Sequence, residues 1–170
     1  ELAGQRVLNA FAYTGSLGIA AAAGGARKVV NCDLNRRFLD LARRSAQLNQ
    51  IPEKQFRLQS GDFFSQVTSF KRSSALFDIV ISDPPFFSST SKGKVDQVHE
   101  SERLINKVRP LINDGGMLIA INNAVFVSGQ EYMQTLESLC KDGYLKIREF
   151  IPVPEDFTGY NPVGRPITDP

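Results

Sequence analysis

The alternation of short apolar runs with amphipathic stretches is the sequence feature that most limits the folds open to this chain. Six strands are predicted, at residues 6–12, 28–33, 56–62, 77–83, 117–123 and 144–153. Helices are predicted between them, at residues 19–25, 35–50, 63–70, 96–112 and 129–143. Strands that alternate with helices form parallel sheets with helices on both faces. The sequence therefore predicts an α/β fold with a doubly wound, mostly parallel sheet, in a single domain over residues 1–170.

The helical pattern also predicts which side chains are buried. Five residues of the second helix, Phe38, Leu41, Ala42, Ser45 and Leu48, are expected to form its buried face. The fourth helix is expected to bury Leu104, Ile105, Val108, Leu111 and Ile112, and to kink or stop early at Pro110. Residues 88–94 are predicted to be a mobile loop, and residues 154–170 a loop rich in Pro and Gly.

Composition and charge exclude several classes of protein. A chain of 170 residues that is 42% hydrophobic suits one globular domain with a core. A net charge of +2 creates no global field for nucleic acid, so an RNA partner would need a local basic patch. Two distant cysteines and one histidine offer no metal-ligand spacing, so no metal is expected and a reduced, cytoplasmic protein is favoured. The sequence shows no apolar run near the roughly 18 residues that span a membrane and no signal peptide. The first residue, Glu1, and the last four, ITDP, predict a fragment of a longer protein.

In doubly wound sheets, ligands bind beyond the carboxyl ends of the strands. Gly15 and Gly18 form a Gly-x-x-Gly turn after the first strand, which suits either a ligand or an ordinary tight turn. Asp33 follows the second strand, 18 positions after Gly15, where an acid can accept the hydroxyls of a ribose. Capping of the next helix by Asp33 or Asn35 is the alternative.

The third and fourth strands also end in acids. Asp62 can cap the following helix or accept the amine of an adenine that packs on Phe63, and the two roles are compatible. The fourth strand is followed by Asp83 and two prolines, which withhold N–H groups and stiffen the backbone. Together with an aromatic face from Phe86 or Phe87, this stretch suits a planar substrate that donates hydrogen bonds, and a turn with core phenylalanines is the alternative.

These strand ends resemble those of class I S-adenosylmethionine-dependent methyltransferases. The stretches VLNAFAYTGSLGIAAAAGGARKVVNCDLN, LARRSAQLNQ and DPPFFSSTSK more narrowly resemble the large-subunit ribosomal RNA methyltransferases, a group with cytosine carbon-5 and guanine nitrogen-7 enzymes. The resemblance implies the Rossmann-like class I fold, here lacking its final antiparallel strand, and S-adenosyl-L-methionine as cofactor. It implies that Asp83, Pro84, Pro85 and Phe86 face the methyl acceptor. It further implies a cofactor site formed by Phe11, Tyr13, Thr14, Gly15, Gly18, Asp33, Leu34, Asp62, Phe63 and Asp83.

The position of the cysteines distinguishes two chemistries. Methylation of a pyrimidine carbon-5 needs a thiolate nucleophile, which the cytosine enzymes carry just after the fifth strand. Here that place holds Asn122 and Asn123, as in the guanine nitrogen-7 enzymes, while Cys32 and Cys140 are expected to be core residues. We therefore expect direct in-line transfer to a base nitrogen, in which positioning supplies most of the acceleration.

Other functions stay open at this point. The cytosine carbon-5 reaction is the first alternative, and methylation of a protein or small-molecule nitrogen is the second, since a stiff acceptor site also suits an amide. A NAD-dependent oxidoreductase is disfavoured by the missing Gly-x-Gly-x-x-Gly, and a non-catalytic binding module by the complete set of site residues. For the RNA itself, Lys92, Lys94 and Arg103 are predicted to meet phosphates. The four arginines of the second helix are predicted to be a solvated face: Arg36, Arg37, Arg43 and Arg44. The sequence leaves the oligomeric state open.

Overall fold

A computed structural model describes residues 2–124 and 127–151. Its seven strands are β1 Arg6–Ala10, β2 Lys28–Asp33, β3 Phe56–Ser60, β4 Phe77–Ser82, β5 Phe87–Thr90, β6 Gly93–Asp96 and β7 Ile112–Ala120. Its five α-helices are α1 Ser16–Ala23, α2 Arg36–Leu48, α3 Phe63–Arg72, α4 Ser101–Val108 and α5 Gly129–Cys140, and a 3₁₀ turn covers Arg109–Leu111. Five strands form one parallel sheet in the order β3-β2-β1-β4-β7. The predicted α/β class and parallel sheet are therefore confirmed.

The sheet is covered on both faces, which explains the apolar runs in its central strands. On one face, Val7 and Val29 pack with small residues of α1 and α2. On the other, Leu8 and Val30 pack with Val67 of α3 and with other residues that follow β4. Alternate residues of a strand point to opposite faces, so a strand buried on both faces is apolar at almost every position.

The buried face of α2 differs from the prediction. Leu39, Ala42 and Ala46 are buried, whereas Leu41 and Leu48 are exposed. Leu39, left out of the predicted face, combines with the two alanines at helical spacing. Their small side chains let α2 lie close to the sheet, so the helix is rotated about its axis relative to the prediction. The predicted face of α4 is confirmed for Leu104, Ile105, Val108 and Leu111, which are buried.

Residues 88–94, predicted to be a mobile loop, belong to a β-hairpin. Strand β5 pairs antiparallel with β6, from Phe87 opposite Asp96 to Thr90 opposite Gly93. The hairpin is largely polar, with Phe87, Ser89, Ser91, Lys92 and Lys94 exposed, whereas Val95 and Asp96 of β6 are buried. It also shortens the predicted helix 96–112, which begins only at Ser101. That helix ends at Val108, just before Pro110, and Ile112 begins β7 instead of closing the helical face.

The predicted sixth strand at residues 144–153 is not seen in its described part. Residues 144–151 form no strand and are almost all exposed. The backbone N–H and C=O groups of a strand need hydrogen bonds from a neighbouring strand, and without one they bond to water. The residue pattern of a segment does not show whether such a neighbouring strand is present. Residues 152–153 and the predicted loop 154–170 lie outside the described residues. No helix within the described ranges is long and apolar enough to cross a membrane.

Candidate active site

A cleft of about 380 Å³ lies across the carboxyl ends of the parallel strands, the position expected for this type of sheet. Its volume falls in the range of small-molecule sites, roughly 300–1,000 Å³. The predicted site residues that line it are Phe11, Tyr13, Asp33, Leu34, Asp62, Phe63, Asp83 and Pro85. The others, Thr14, Gly15, Gly18, Pro84 and Phe86, lie outside this lining. Residues of the hairpin and of α2 complete the wall, among them Phe38, Ser88 and Thr90.

The loop after β1 has an unusual backbone. Phe11 and Tyr13 have positive φ angles of 59° and 50°, a conformation that costs about 1–3 kcal/mol for a residue other than glycine. Three hydrogen bonds hold it: Ala12 N–H donates to Cys32 O at 2.8 Å, Tyr13 N–H to Asp33 Oδ2 at 2.8 Å, and Gly15 N–H to Ala12 O at 2.7 Å. The fold thus fixes both rings in the lining of the cleft.

Packing requires Gly15, at the end of this loop, and Gly18, in the first turn of α1. Gly15 has φ 81°, and a Cβ there would lie 2.7 Å from Ala42 Cβ of α2. A Cβ on Gly18 would lie 1.9 Å from Asn31 Oδ1, which accepts a hydrogen bond from Asn9 Nδ2 at 3.0 Å inside the core. The tight-turn interpretation is therefore confirmed, whereas an approach of either glycine to a ligand stays a prediction.

Asp33 ties two loops together at the end of β2. Its Oδ2 accepts the Tyr13 N–H, and its Oδ1 accepts the Asn35 N–H at 2.8 Å. Asn35 is the N-cap of α2, and its side-chain oxygen accepts the Arg37 N–H at 3.0 Å. The capping role thus belongs to Asn35, and the Asp33 carboxylate lies in the cleft wall.

Asp62 has the predicted capping role and a second contact. Its Oδ1 accepts the Ser65 N–H at 3.1 Å at the start of α3, and its Oδ2 accepts the Thr90 hydroxyl at 2.5 Å. Next to it, the Phe63 ring stacks on Phe11, with centroids 4.4 Å apart and planes 26° from parallel. An aromatic wall and a carboxylate therefore meet at one end of the cleft, with the hairpin fastened to that carboxylate.

Asp83 differs from the other two acids. Its nearest side-chain partner is Asn123, whose Nδ2 is 3.4 Å from Asp83 Oδ1. Burial raises the pKa of Asp83 above its usual range. Within the described ranges, no Lys, Arg or His forms an ion pair with it. Asp83 thus presents a partly desolvated carboxylate that has unused hydrogen-bonding capacity, in the same cleft as Asp33.

Gln97 is a residue that the sequence reasoning missed. It is buried, and its Nε2 donates to two backbone carbonyls, Pro84 O at 3.1 Å and Ile121 O at 3.2 Å, while its N–H donates to Phe86 O at 3.1 Å. Gln97 therefore joins the Asp-Pro-Pro-Phe stretch to the end of β7. The pattern places Gln97 in a helix, so only the hairpin that precedes it reveals this role.

The proline and phenylalanine side chains of this stretch have different surroundings. Pro84 is buried and its carbonyl faces Gln97, whereas Pro85 lies in the cleft wall. Phe86 and Phe87 are 43% and 53% exposed, beside the cleft mouth, and Lys94 Nζ lies 5.5 Å from the centroid of the Phe87 ring. Two exposed rings in sequence provide an apolar surface next to Asp83.

Neither cysteine has the surroundings of a nucleophile. Cys32 touches the cleft but is buried, and burial raises the pKa of its thiol to about 12. Cys140 is half-buried near the end of α5, and neither forms a disulfide. Within the described residues, no group of three or more His, Cys, Asp or Glu could hold a metal ion.

Comparison with known proteins gives consistent matches. A family model described as S-adenosylmethionine-dependent methyltransferase matches residues 1–164. The chain is 36% identical over 117 residues to ribosomal RNA large subunit methyltransferase I of Aeromonas hydrophila, which covers 68% of this chain and 29% of that protein. It is 36% identical over 125 residues to ribosomal RNA large subunit methyltransferase K/L of Pseudomonas fluorescens, covering 72% of this chain and 16% of that protein. The chain thus spans about a third or less of these relatives.

Solved structures agree with the fold. SMU.776, a protein assigned as a methyltransferase and solved in complex with SAH, superposes with a TM-score of 0.81 at 27% identity. The match covers 92% of this chain and 41% of SMU.776. A protein from Streptococcus mutans assigned as S-adenosylmethionine-dependent superposes with a TM-score of 0.82 at 26% identity, over 92% of this chain and 40% of the other.

Proposed function

The chain belongs to the S-adenosylmethionine-dependent methyltransferase family, and on that premise we propose that it methylates a base nitrogen of ribosomal RNA, with guanine favoured, by direct in-line transfer. The observation that carries the proposal is the Asp83 carboxylate, which lies in the wall of the cofactor-sized cleft without an ion-pair partner in the described ranges. A ribosomal RNA substrate would place the reaction in the cytoplasm. Residues 1–170 are taken as one catalytic domain.

The cleft residues suit the cofactor. Its adenosine and methionine groups need an apolar surface with a few hydrogen-bonding groups, and the stacked rings of Phe11 and Phe63 stand beside Asp62. Asp33 carries carboxylate oxygens with lone pairs beyond those used by Tyr13 and Asn35, so it can also accept ribose hydroxyls. When bound, S-adenosylmethionine supplies an electrophilic methyl group on a sulfonium.

The acceptor half of the cleft supplies orientation. Asp83 can accept hydrogen bonds from the N–H groups of a base edge, and the exposed rings of Phe86 and Phe87 offer a surface on which a base can stack. Gln97 holds the backbone between Asp83 and Phe86, so the carboxylate keeps its position. A base nitrogen held in this way would form a bond to the methyl carbon in line with the carbon–sulfur bond of the cofactor, which would break and release S-adenosylhomocysteine. Asp83 would accept a proton where the attacked nitrogen carries one.

The carbon-5 alternative is disfavoured by the thiols. A covalent route needs a thiolate that reaches the base, whereas the Cys32 thiol is buried with a pKa of about 12. We expect no covalent adduct when the protein is mixed with a 5-fluorocytosine-containing RNA and the cofactor. An adduct at Cys32 or Cys140, detected by peptide mass spectrometry, would contradict nitrogen methylation.

The deciding experiment separates the substrate classes. The full-length protein is incubated with S-adenosylmethionine carrying a labelled methyl group, and with ribosomal RNA or with RNA-free ribosomal protein in parallel. We expect label in RNA, at a guanine nitrogen after digestion to nucleosides. Label in protein alone would show the amide alternative to be right, and no transfer to either would favour the binding-module alternative. Family membership already sets aside the NAD-dependent oxidoreductase.

A further inference from the structure

A second depression lies beside the candidate active site, along the exposed face of α3. It has a volume of about 670 Å³ and is lined by Phe64, Ser65, Thr68, Ser69, Arg72, Ser73 and Lys92. Phe64 also lines the cleft, so the depression, here called the α3 groove, continues from the cleft mouth. A polymer whose target unit enters the cleft could therefore continue along α3.

The α3 groove has the charge of a site for an anion. Its lining has two cations and no carboxylate. Neither Arg72 nor Lys92 forms an ion pair with another described residue. The two other cations near the hairpin are already paired, Lys94 with Asp96 at 2.7 Å and Arg103 with Glu100 at 2.5 Å. The predicted phosphate contacts of Lys94 and Arg103 thus compete with internal ion pairs, while Lys92 is available.

The helix itself is unusual on this side. Its exposed face carries hydroxyl side chains at Ser65, Thr68 and Ser69, the C-cap residue Ser73 adds a fourth, and α3 contains no acidic residue. Serine and threonine favour helices less than Ala, Glu or Lys, the residues that suit an exposed helical face. Packing does not require them, because the buried side of α3 is formed by Val67 and Phe70. The Thr68 hydroxyl donates to Phe64 O at 2.8 Å and the Ser73 hydroxyl to Phe70 O at 3.1 Å, so their hydrogens are already used. The hydroxyls of Ser65 and Ser69, which lie beside the two cations, suit phosphate oxygens and ribose hydroxyls.

The hairpin holds Lys92 opposite α3. The Thr90 hydroxyl donates to Asp62 Oδ2 and accepts the Lys92 N–H at 3.1 Å. The turn that carries Lys92 is therefore fastened to the first residue before α3, and the two walls of the groove are fixed relative to each other. The same contact fastens the groove to the cleft wall at Asp62.

We propose that the α3 groove binds the phosphodiester backbone of the RNA strand that flanks the methylated nucleotide, with Arg72 and Lys92 contacting phosphates. This inference rests on the proposed RNA substrate and adds to it the path of the strand outside the cleft. Because phosphate contacts carry no base information, the groove contributes affinity and register, and the choice of base is left to the cleft.

The test measures binding of a short fluorescein-labelled single-stranded RNA by anisotropy, with the full-length protein at several salt concentrations. The variant Arg72→Gln/Lys92→Gln is compared with Arg43→Gln/Arg44→Gln, which removes the same charge from the exposed face of α2. We expect the groove variant to bind roughly tenfold more weakly and the salt slope to fall by about 1.4, the value for two single-strand phosphate contacts. The α2 variant should match the wild type, and all three should bind S-adenosylhomocysteine equally.

A second pair of variants guards against loss of folding. Ser69→Glu places an anion in the middle of the groove, and Gln47→Glu places one on α2, where the residue is also exposed. Only Ser69→Glu should weaken RNA binding. If the wild type methylates RNA and both groove variants bind it normally, or the groove and α2 variants lose equal affinity, the groove inference is wrong while the proposed function stands. If the wild type neither binds nor methylates RNA, both fail.

Discussion

The carboxylates in the two halves of the cleft differ in the number of hydrogen bonds that they accept. In the half formed by the ends of β2 and β3, Asp33 accepts two backbone N–H groups, and Asp62 accepts one N–H and the Thr90 hydroxyl. In the half formed by the ends of β4 and β7, the side chain of Asp83 has, within residues 2–124 and 127–151, only the 3.4 Å contact from Asn123. The first half has used much of its hydrogen-bonding capacity to set the shape of the site. The second leaves the Asp83 carboxylate with spare hydrogen-bonding capacity.

A second contrast lies along β4 itself. Asp78, near its beginning, accepts the Arg6 N–H at 2.7 Å and the Asn113 Nδ2 at 2.6 Å, and these bonds hold its pKa below the usual range. Asp83, just past its end, has a pKa raised by burial. The same residue type is thus bonded into the fold at one end of the strand and partly desolvated in the cleft wall at the other.

The substitution Asp83→Asn is expected to have the largest effect. It removes the charge that accepts substrate N–H groups and protons, so kcat should fall by about 10²–10³-fold. Binding of S-adenosylhomocysteine, measured by calorimetry, should change little. Because the Asp83 pKa is raised, wild-type kcat should also fall with decreasing pH before an ordinary carboxyl, with a pKa of about 3.9, would protonate.

Asp78→Asn is the matched control, since it makes the same change on the same strand away from the cleft. It should lower stability and leave kcat within about twofold. Equal losses of kcat in both variants would mean that Asp83 acts through folding and not through the substrate, and the contrast between the two ends would fail.

The second prediction concerns Gln97. Gln97→Met keeps the side-chain volume but leaves Pro84 O and Ile121 O without their donor, at a cost of about 1–3 kcal/mol in the free energy of unfolding. The stretch from Asp83 to Phe86 should become less well ordered. The kcat for RNA should therefore fall about tenfold, which corresponds to an increase of about 1.4 kcal/mol in the activation free energy. Affinity for S-adenosylhomocysteine should hold.

Gln55→Met is the control for this prediction. Gln55 Nε2 also donates to two backbone carbonyls, Ala22 O at 3.0 Å and Ala26 O at 2.7 Å, and neither belongs to the stretch from Asp83 to Phe86. Urea unfolding should show similar destabilisation in both variants, with kcat reduced in Gln97→Met alone. A loss of kcat in Gln55→Met as well would indicate that a general loss of stability lowers kcat in both variants.

The third prediction tests the packing of Gly18 in α1 against the buried Asn31. Gly18→Ala brings a methyl group against Asn31 Oδ1, and overpacking of this kind costs about 1–3 kcal/mol, less the gain in helix propensity. A double-mutant cycle with Asn31→Ala should recover part of the loss in urea unfolding. Additive effects of the two substitutions would show that the contact does not require the glycine.

The smallest effect is expected on the free energy of unfolding when the pH is lowered and Asp78 is protonated. The lowered pKa of Asp78 means that its bonds stabilise the fold fully above about pH 3.9, and that this contribution is lost as the pH falls through the lowered value. Because the side chain is partly exposed, the contribution is about 1 kcal/mol. Urea unfolding between neutral pH and about pH 3 should show a steeper loss in the wild type than in Asp78→Asn.

The strands and the acids that follow them could be predicted from local sequence. The apolar run FDIVIS is a strand because it is buried on both faces, and Asp83 comes at its carboxyl end because strand direction follows from the chain. The same reasoning placed Asp33 and Asp62 at one edge of the sheet, where the structure brings them into one cleft. These features depend on periodicity and on sheet geometry, which a single sequence carries.

Contacts between distant segments were decided only by the tertiary structure. Gln97 donates to Pro84 O and Ile121 O, and Thr90 donates to Asp62, across separations that no periodic pattern encodes. The rotation of α2 depended on how closely Ala42 and Ala46 approach the sheet, and the hairpin at 87–96 on pairing between two polar segments. By itself, the sequence determined the sheet and the residue types at its edge, because these follow from local hydrophobicity. The packing of distant groups decided which of those residues bond to neighbouring loops, and it left Asp83 with a single long side-chain contact within the described residues.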